Sequence, residues 1–139
     1  MMTNLNYVQD NILNVCNGIL MHGVNCQGIM GLGVAKEIRR VYPQVYHDYM
    51  KCCSECAHPE DLLGRNCYSF IESDFIVANC FTQLYYGKRP YYKYTNVEAL
   101  KCCLDRIVSD FNQQSQFKTI SMPKIGCGLG GLDWDAHVK

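Results

Sequence analysis

The chain has 139 residues, 48% of them hydrophobic and 19% charged, a length and balance that describe one globular domain with enough apolar mass for a core, neither disordered nor fibrous. Thirteen basic residues balance thirteen acidic ones, so no excess of positive charge drives sequence-independent binding, and long nucleic acid is not an expected partner. No apolar run approaches the roughly 20 residues of a membrane span, and Asn4, Asn6, Gln9, Asp10, Asn11 and Asn14 break the first stretch of chain; a soluble cytoplasmic monomer without a signal peptide is expected.

Asn6 to Val8 and Gly18 to Val24 read as short buried strands, the second ending in His22-Gly23 after the apolar run Ile19-Leu20-Met21. From Leu32 to about Met50 the residues Val34, Ala35, Ile38, Val41, Val45 and Tyr49 recur at helical spacing, with Pro43 placed to kink or split the helix. Cys67 to Ile71 and Phe75 to Phe81 predict a strand hairpin turned by Glu72-Ser73-Asp74. Thr95-Asn96-Val97-Glu98 opens an amphipathic helix carried by Ala99, Leu100, Cys103, Ile107, Val108 and Phe111, which frays into Asn112 to Gln116. Thr119 to Met122 predicts a further strand, and Asp133-Trp134-Asp135 a last helix start, with Asp133 as a helix cap or a water-activating group. Helices interspersed with short buried strands predict an α/β layered domain with a mixed sheet.

Ten cysteines would suggest a disulfide framework in a small secreted domain. Here Cys16, Cys80, Cys102 and Cys103 lie in apolar stretches and Cys52-Cys53 form a doublet, as expected of reduced thiols acting as small buried hydrophobes. Cys53, Cys56 and His58 have the start of a zinc-site spacing, but no second CxxC or HxxxH completes four ligands. A helix end rich in buried thiols and no metal is the reading preferred.

Two glycine-rich loops each join a buried strand to a helix start. The first is Asn25-Cys26-Gln27-Gly28-Ile29-Met30-Gly31-Leu32-Gly33; the second is Gly126-Cys127-Gly128-Leu129-Gly130-Gly131. At that edge of an α/β sheet the freed backbone N–H groups and the positive end of the helix dipole converge on an anion. Neither loop is a P-loop, because Gly33 is followed by Val34-Ala35 and Gly131 by Leu132-Asp133. The second fits G-x-G-x-x-G, yet only 8 residues follow Gly131, too few to supply the acidic partner of a dinucleotide site. Taken together the loops predict a ligand with two adjacent phosphates, or a phosphate and a sugar; taken singly, each also suits a tight turn.

Over most of the chain the sequence resembles the macrodomains, which bind ADP-ribose. Tyr7-Val8-Gln9-Asp10-Asn11-Ile12-Leu13 is similar to the family's opening strand and adenine-side turn. His22-Gly23-Val24-Asn25-Cys26-Gln27-Gly28 with Met30-Gly31-Leu32-Gly33-Val34-Ala35 resembles its first loop, and Met122-Pro123-Lys124-Ile125-Gly126-Cys127-Gly128-Leu129 its phosphate loop. Within the family the first loop and Asn11 resemble small stand-alone ADP-ribose 1''-phosphate phosphatases, and the MPKIGCGL stretch also resembles the terminal ADP-ribose protein glycohydrolases. The resemblance implies a three-layer α/β/α fold with a mixed central sheet over residues 1–139, with the C-terminal helix and strand short or missing. Three departures stand out: Asn11 where many members carry Asp, Gln83 and Gly130 where the glycohydrolases carry Lys and Asp, and an early stop at Lys139. Gln cannot form a Schiff base with an opened ribose.

On this resemblance, adenine lies near Asp10, Asn11 and Ile12. The diphosphate lies across Gly126, Cys127, Gly128, Leu129, Gly130 and Gly131 and across the Met30, Gly31, Leu32, Gly33 turn. The distal ribose falls beside Asn25, Gln27 and Gly28; near it, His22, Asn25 and Gln27 become the expected catalytic residues, with Lys88 or Arg89 on the opposite wall. The implied reaction is hydrolysis of ADP-ribose 1''-phosphate, with no cofactor and no metal. A non-catalytic ADP-ribose-binding module and a de-ADP-ribosylating hydrolase stay open beside it. His22 is also read as a strand-end histidine bonded to its surroundings. Tyr85, Tyr86, Tyr91, Tyr92 and Tyr94 around Lys88-Arg89 read equally as ordinary packing or as a base-stacking patch of an RNA- or nucleotide-binding protein.

Overall fold

The computed structural model describes residues 11–31, 33–84, 96–117 and 119–123. Strand β1 (Gly18–Asn25) is buried on both faces, which is why it reads as a continuous apolar run and not as an alternating one. It pairs in parallel with β3 (Phe75–Gln83), from Gly18 opposite Phe75 to Val24 opposite Phe81. On its other side it pairs in parallel with β4 (Ile120–Ser121). Strand β2 (Asn66–Glu72) runs antiparallel to β3 through the expected hairpin, so the sheet is mixed and ordered β2-β3-β1-β4.

The helical stretch divides into α1 (Gly33–Val41) and α2 (Pro43–Ser54). Pro43 has no N–H to donate and disfavours a helical residue before it. Tyr42 accordingly sits at φ −125°, ψ 80° between the helices, and Pro43 becomes the first residue of α2. Both helices cover one face of the sheet, where Leu20, Val24, Val77 and Phe81 meet Ile38, Val45 and Tyr49. Helix α3 (Val97–Phe111) covers the other face, packing Leu100, Cys103, Ile107 and Phe111 on Ile19, Met21, Ile76 and Ala78. The three layers are therefore α/β/α. The carboxamide oxygen of Asn96 accepts from Ala99 N at 3.0 Å and caps α3.

Several expectations are corrected. The last strand is shorter than Thr119 to Met122, and the hairpin strands reach one or two residues further at their ends. Cys80 and Cys103 are buried, whereas Cys16 and Cys102 are exposed. Cys102 neighbours a buried helical position but falls on the solvent side of α3, a distinction that apolar context alone does not make. The strand expected at Asn6 to Val8, the tyrosines at 85–94 and the helix start at Asp133 lie outside the described residues. No helix among the described residues is long and apolar enough to cross a membrane.

Candidate functional site

The loop from β1 into α1 is organised by the side chain of Asn25. Its Oδ1 accepts from the backbone N–H of Gln27 at 2.9 Å and of Ile29 at 3.3 Å, and its Nδ2 donates to Ile29 O at 2.6 Å. One carboxamide thereby closes a turn that the backbone alone would leave open. From α2, the Tyr49 hydroxyl donates to Asn25 O at 2.7 Å and lies 2.9 Å from Asn25 Oδ1. Cys26 N donates to Gln83 O at 3.0 Å, and Cys26 and Met30 turn inward. Gln27, Ile29 and Gly31 face outward. Gly28 needs its left-handed φ of 79°, and Gly33 enters α1 at φ 61°. A side chain at Gly31 would meet no atom of the described residues within 4 Å.

The first-turn N–H groups of a helix have no intrahelical acceptor and favour an anion. A groove of about 620 Å³ runs past this start of α1, between Asn11, Ile12 and Leu13 on one side and Gly33, Val34, Lys36, Glu37 and Arg40 on the other. That volume suits a small-molecule ligand. Asn11 and Ile12, expected on the adenine side, and Gly33, expected at the phosphate turn, are thus brought to one groove. Asn11 also caps the short 3-10 turn Ile12–Asn14, its Oδ1 accepting from Leu13 N at 2.9 Å.

His22 and Asn25, expected to act on substrate, are placed otherwise. His22 lies inside β1, 1% exposed, its Nε2 2.6 Å from Asn79 Oδ1. Asn79 donates its own amide to Cys67 O, so its oxygen is the acceptor and the proton sits on His22 Nε2. Burial holds the His22 pKa down at about 4 against the upward pull of Asn79, which makes it a poor proton acceptor at neutral pH. Of the two readings given to His22, this placement matches the neutral histidine bonded to its surroundings, here across the sheet to Asn79. Asn25 spends both ends of its carboxamide on its own loop and Tyr49. Gln27 remains outward at the loop tip.

The Cys26 thiol within the loop is pushed up to about 12, by burial first and then by nearby thiols and Glu60; it stays protonated and is no nucleophile. Among the described residues no three His, Cys, Asp or Glu side chains gather to hold a metal ion. Asp10, Leu32, Gly126, Cys127, Gly128, Leu129, Gly130 and Gly131, with Lys88, Arg89 and Asp133, lie outside the described residues. Sequence reasoning took Tyr49 only as a core position of the helix and did not single out Asn79. Their partners stand 24 and 57 residues away, and no local pattern signals either contact.

β1 and β3 fall out of step at the site: Val24 pairs with Phe81 but Asn25 with Gln83, leaving Thr82 as an extra residue. Gln83 therefore stands at the base of the loop.

A family profile described as Macro domain matches residues 21–139. The ADP-ribose 1''-phosphate phosphatase of Saccharomyces cerevisiae is 26% identical over 158 residues, covering 96% of this chain and 88% of its own. The DNA ADP-ribosyl glycohydrolase of Mycobacterium tuberculosis is 27% identical over 94% of this chain, which spans 36% of that relative's length. A 17.5 kDa protein of Enterobacteria phage T4 is 31% identical over 84% of this chain and 72% of its own. Among solved structures, the macrodomain of Mycobacterium tuberculosis DarG superposes with a TM-score of 0.72 at 27% identity, over 93% of this chain and 81% of that one.

Proposed function

The chain belongs to the macrodomain family, and from that premise we propose that the groove and the β1–α1 loop hold ADP-ribose and that the protein hydrolyses ADP-ribose 1''-phosphate. Adenine takes the Asn11 and Ile12 end, and the phosphates take the bare backbone from Gly28 to Gly33. Water attacks phosphorus, the phosphorus–oxygen bond breaks, and the 1''-oxygen leaves as a hydroxyl with the proton that water gives up, so ADP-ribose and phosphate are the products. Positioning and charge neutralisation carry such a reaction. The backbone donors meet the anion, and the outward carboxamide of Gln27 orients the water. With His22 neutral and paired inside the sheet, no strong base assists and turnover is slow.

The observation that carries this choice is Gln83 opposite Asn25. A neutral carboxamide at the base of the loop supports direct attack by water and argues against a covalent lysine intermediate. A second reading, release of ADP-ribose from DNA, is favoured by the match of the DNA ADP-ribosyl glycohydrolases over 94% of this chain; without lysine it too would require water to attack directly.

Three measurements on the purified protein test the proposal: calorimetry with ADP-ribose and with AMP, phosphate release from ADP-ribose 1''-phosphate, and release of ADP-ribose from ADP-ribosylated DNA. ADP-ribose is expected to bind much more tightly than AMP, with phosphate released. Release from DNA without phosphate release transfers the protein to the second reading. Binding with neither leaves a binding module.

A further inference from the structure

We propose that Tyr49 is a positioning residue, whose hydroxyl holds the Asn25–Ile29 turn in the form that receives the ligand. The inference rests on the reading of that turn as part of an ADP-ribose site. Tyr49 is fully buried in α2, with its ring stacked on Phe81 at 5.7 Å and 25° between planes. The ring alone satisfies that packing, and a phenylalanine would fill the same space. The hydroxyl does something separate, donating to Asn25 O at 2.7 Å and reaching Asn25 Oδ1 at 2.9 Å. Burial, the largest of several influences on the phenol, pushes its pKa up, so the donor stays protonated at any working pH.

The turn needs this outside bond for a geometric reason. The bonds from Asn25 to Gln27 and Ile29 span two and four residues, so they fix the shape of the turn but not its direction. Direction is set by what ties the turn to the body of the protein: Cys26 N on Gln83 O at the sheet, and Tyr49 at the helix pair whose first member walls the groove. Helix α2 follows α1 with one residue between them, and α1 is a wall of the groove. Tyr49 ties the turn to that helix pair, and Met50, whose sulfur would lie 3.4 Å from a side chain added at Gly28, flanks it. Asn25 positions donors within the turn, and Tyr49 positions the turn.

The test compares Tyr49→Phe with Phe111→Leu, the latter a core change on the α3 face, away from the loop. Both are expected to lower Tm by a few degrees. ADP-ribose calorimetry well below Tm is expected to show at least a 10-fold loss of affinity for Tyr49→Phe and no change for Phe111→Leu. Amide hydrogen exchange in the absence of ligand is expected to quicken at Gln27 and Ile29 by 10-fold or more in Tyr49→Phe alone. Wild-type affinity in Tyr49→Phe, or equal losses in both variants, overturns the proposal. If the wild type itself does not bind ADP-ribose, the functional reading fails; the exchange rates then still decide whether Tyr49 holds the turn, and unchanged rates overturn that claim as well.

Discussion

Helices α1 and α2 are separated by one residue, and they serve the same loop in different ways. Helix α1 buries only Ile38 among its residues and is otherwise largely exposed; it offers the loop its first turn, with Gly33 at a left-handed φ and a groove beside it. Helix α2 buries Val45 and Tyr49 and offers its side, gripping the loop through Tyr49 and Met50. The end of a helix supplies unpaired N–H donors, and its flank supplies fixed side chains. A single uninterrupted helix has one axis, so it could not aim its first turn at the groove and lay a later turn alongside the loop with this freedom. The break at Pro43 separates the two tasks.

The largest effect expected tests the floor on which both helices rest. His22 and Asn79 lie on the sheet face that α1 and α2 cover. The folded His22 has a pKa lowered to about 4 from an ordinary 6.5, so between those values the unfolded chain takes up a proton that the folded one refuses. Stability is full above pH 6.5 and falls as pH drops, by about 3 kcal/mol at pH 4 from this residue alone. Urea unfolding at pH 7.5 and 4.5 measures it, and His22→Gln is expected to flatten that dependence. An equally steep loss in the variant would assign it to other groups.

Next in size is Gly33→Val, which attacks the end that α1 presents. A branched residue at φ 61° costs on the order of 1–2 kcal/mol of stability, and its side chain stands at the entry of the phosphate turn; ADP-ribose affinity is expected to fall about 100-fold, some 2.7 kcal/mol. Gly31→Ala sharpens the point with a smaller change. The described residues offer that side chain no clash, so Tm should stay within a degree or so while affinity drops roughly 10-fold, about 1.4 kcal/mol. Equal affinity would mean that no ligand approaches there. The smallest effect belongs to the outer rim of the groove on α1, where Glu37 pairs with Arg40 at 2.9 Å, both well exposed. Glu37→Gln should move stability by less than about 0.5 kcal/mol.

How much of this was legible follows the range of the interactions. Strand β1, the hairpin and α3 with its Asn96 cap are written in local periodicity and turn chemistry, and Pro43 marks the helix break from the sequence. The tight turn of the glycine loop was legible because left-handed backbone at Gly28 and Gly33 calls for that residue. What the loop's side chains do was not. Asn25 invites a catalytic role by its place in the motif, yet its bonds to Ile29 and Tyr49 consume both ends of the amide. His22 sits at what looks like a strand end from sequence, but β1 continues to Asn25 and Asn79 meets it from the neighbouring strand. Both outcomes depend on which residue packs opposite, and pattern along one chain does not encode that.

The place of β1 in the sheet also sets an order of events during synthesis. Its neighbours begin at Phe75 and Ile120, so Gly18–Asn25 leaves the ribosome with neither edge partnered and waits until much of the remaining chain has followed. Parallel pairings across such separations form late and slowly. For that interval the nascent chain displays Ile19-Leu20-Met21 as a bare apolar strand, the kind of segment on which chaperones and unwanted self-association compete. The strand that anchors the loop in the finished protein is thus the most vulnerable part of the unfinished one, and yield in cells should respond to the rate of translation between Asn25 and Phe81.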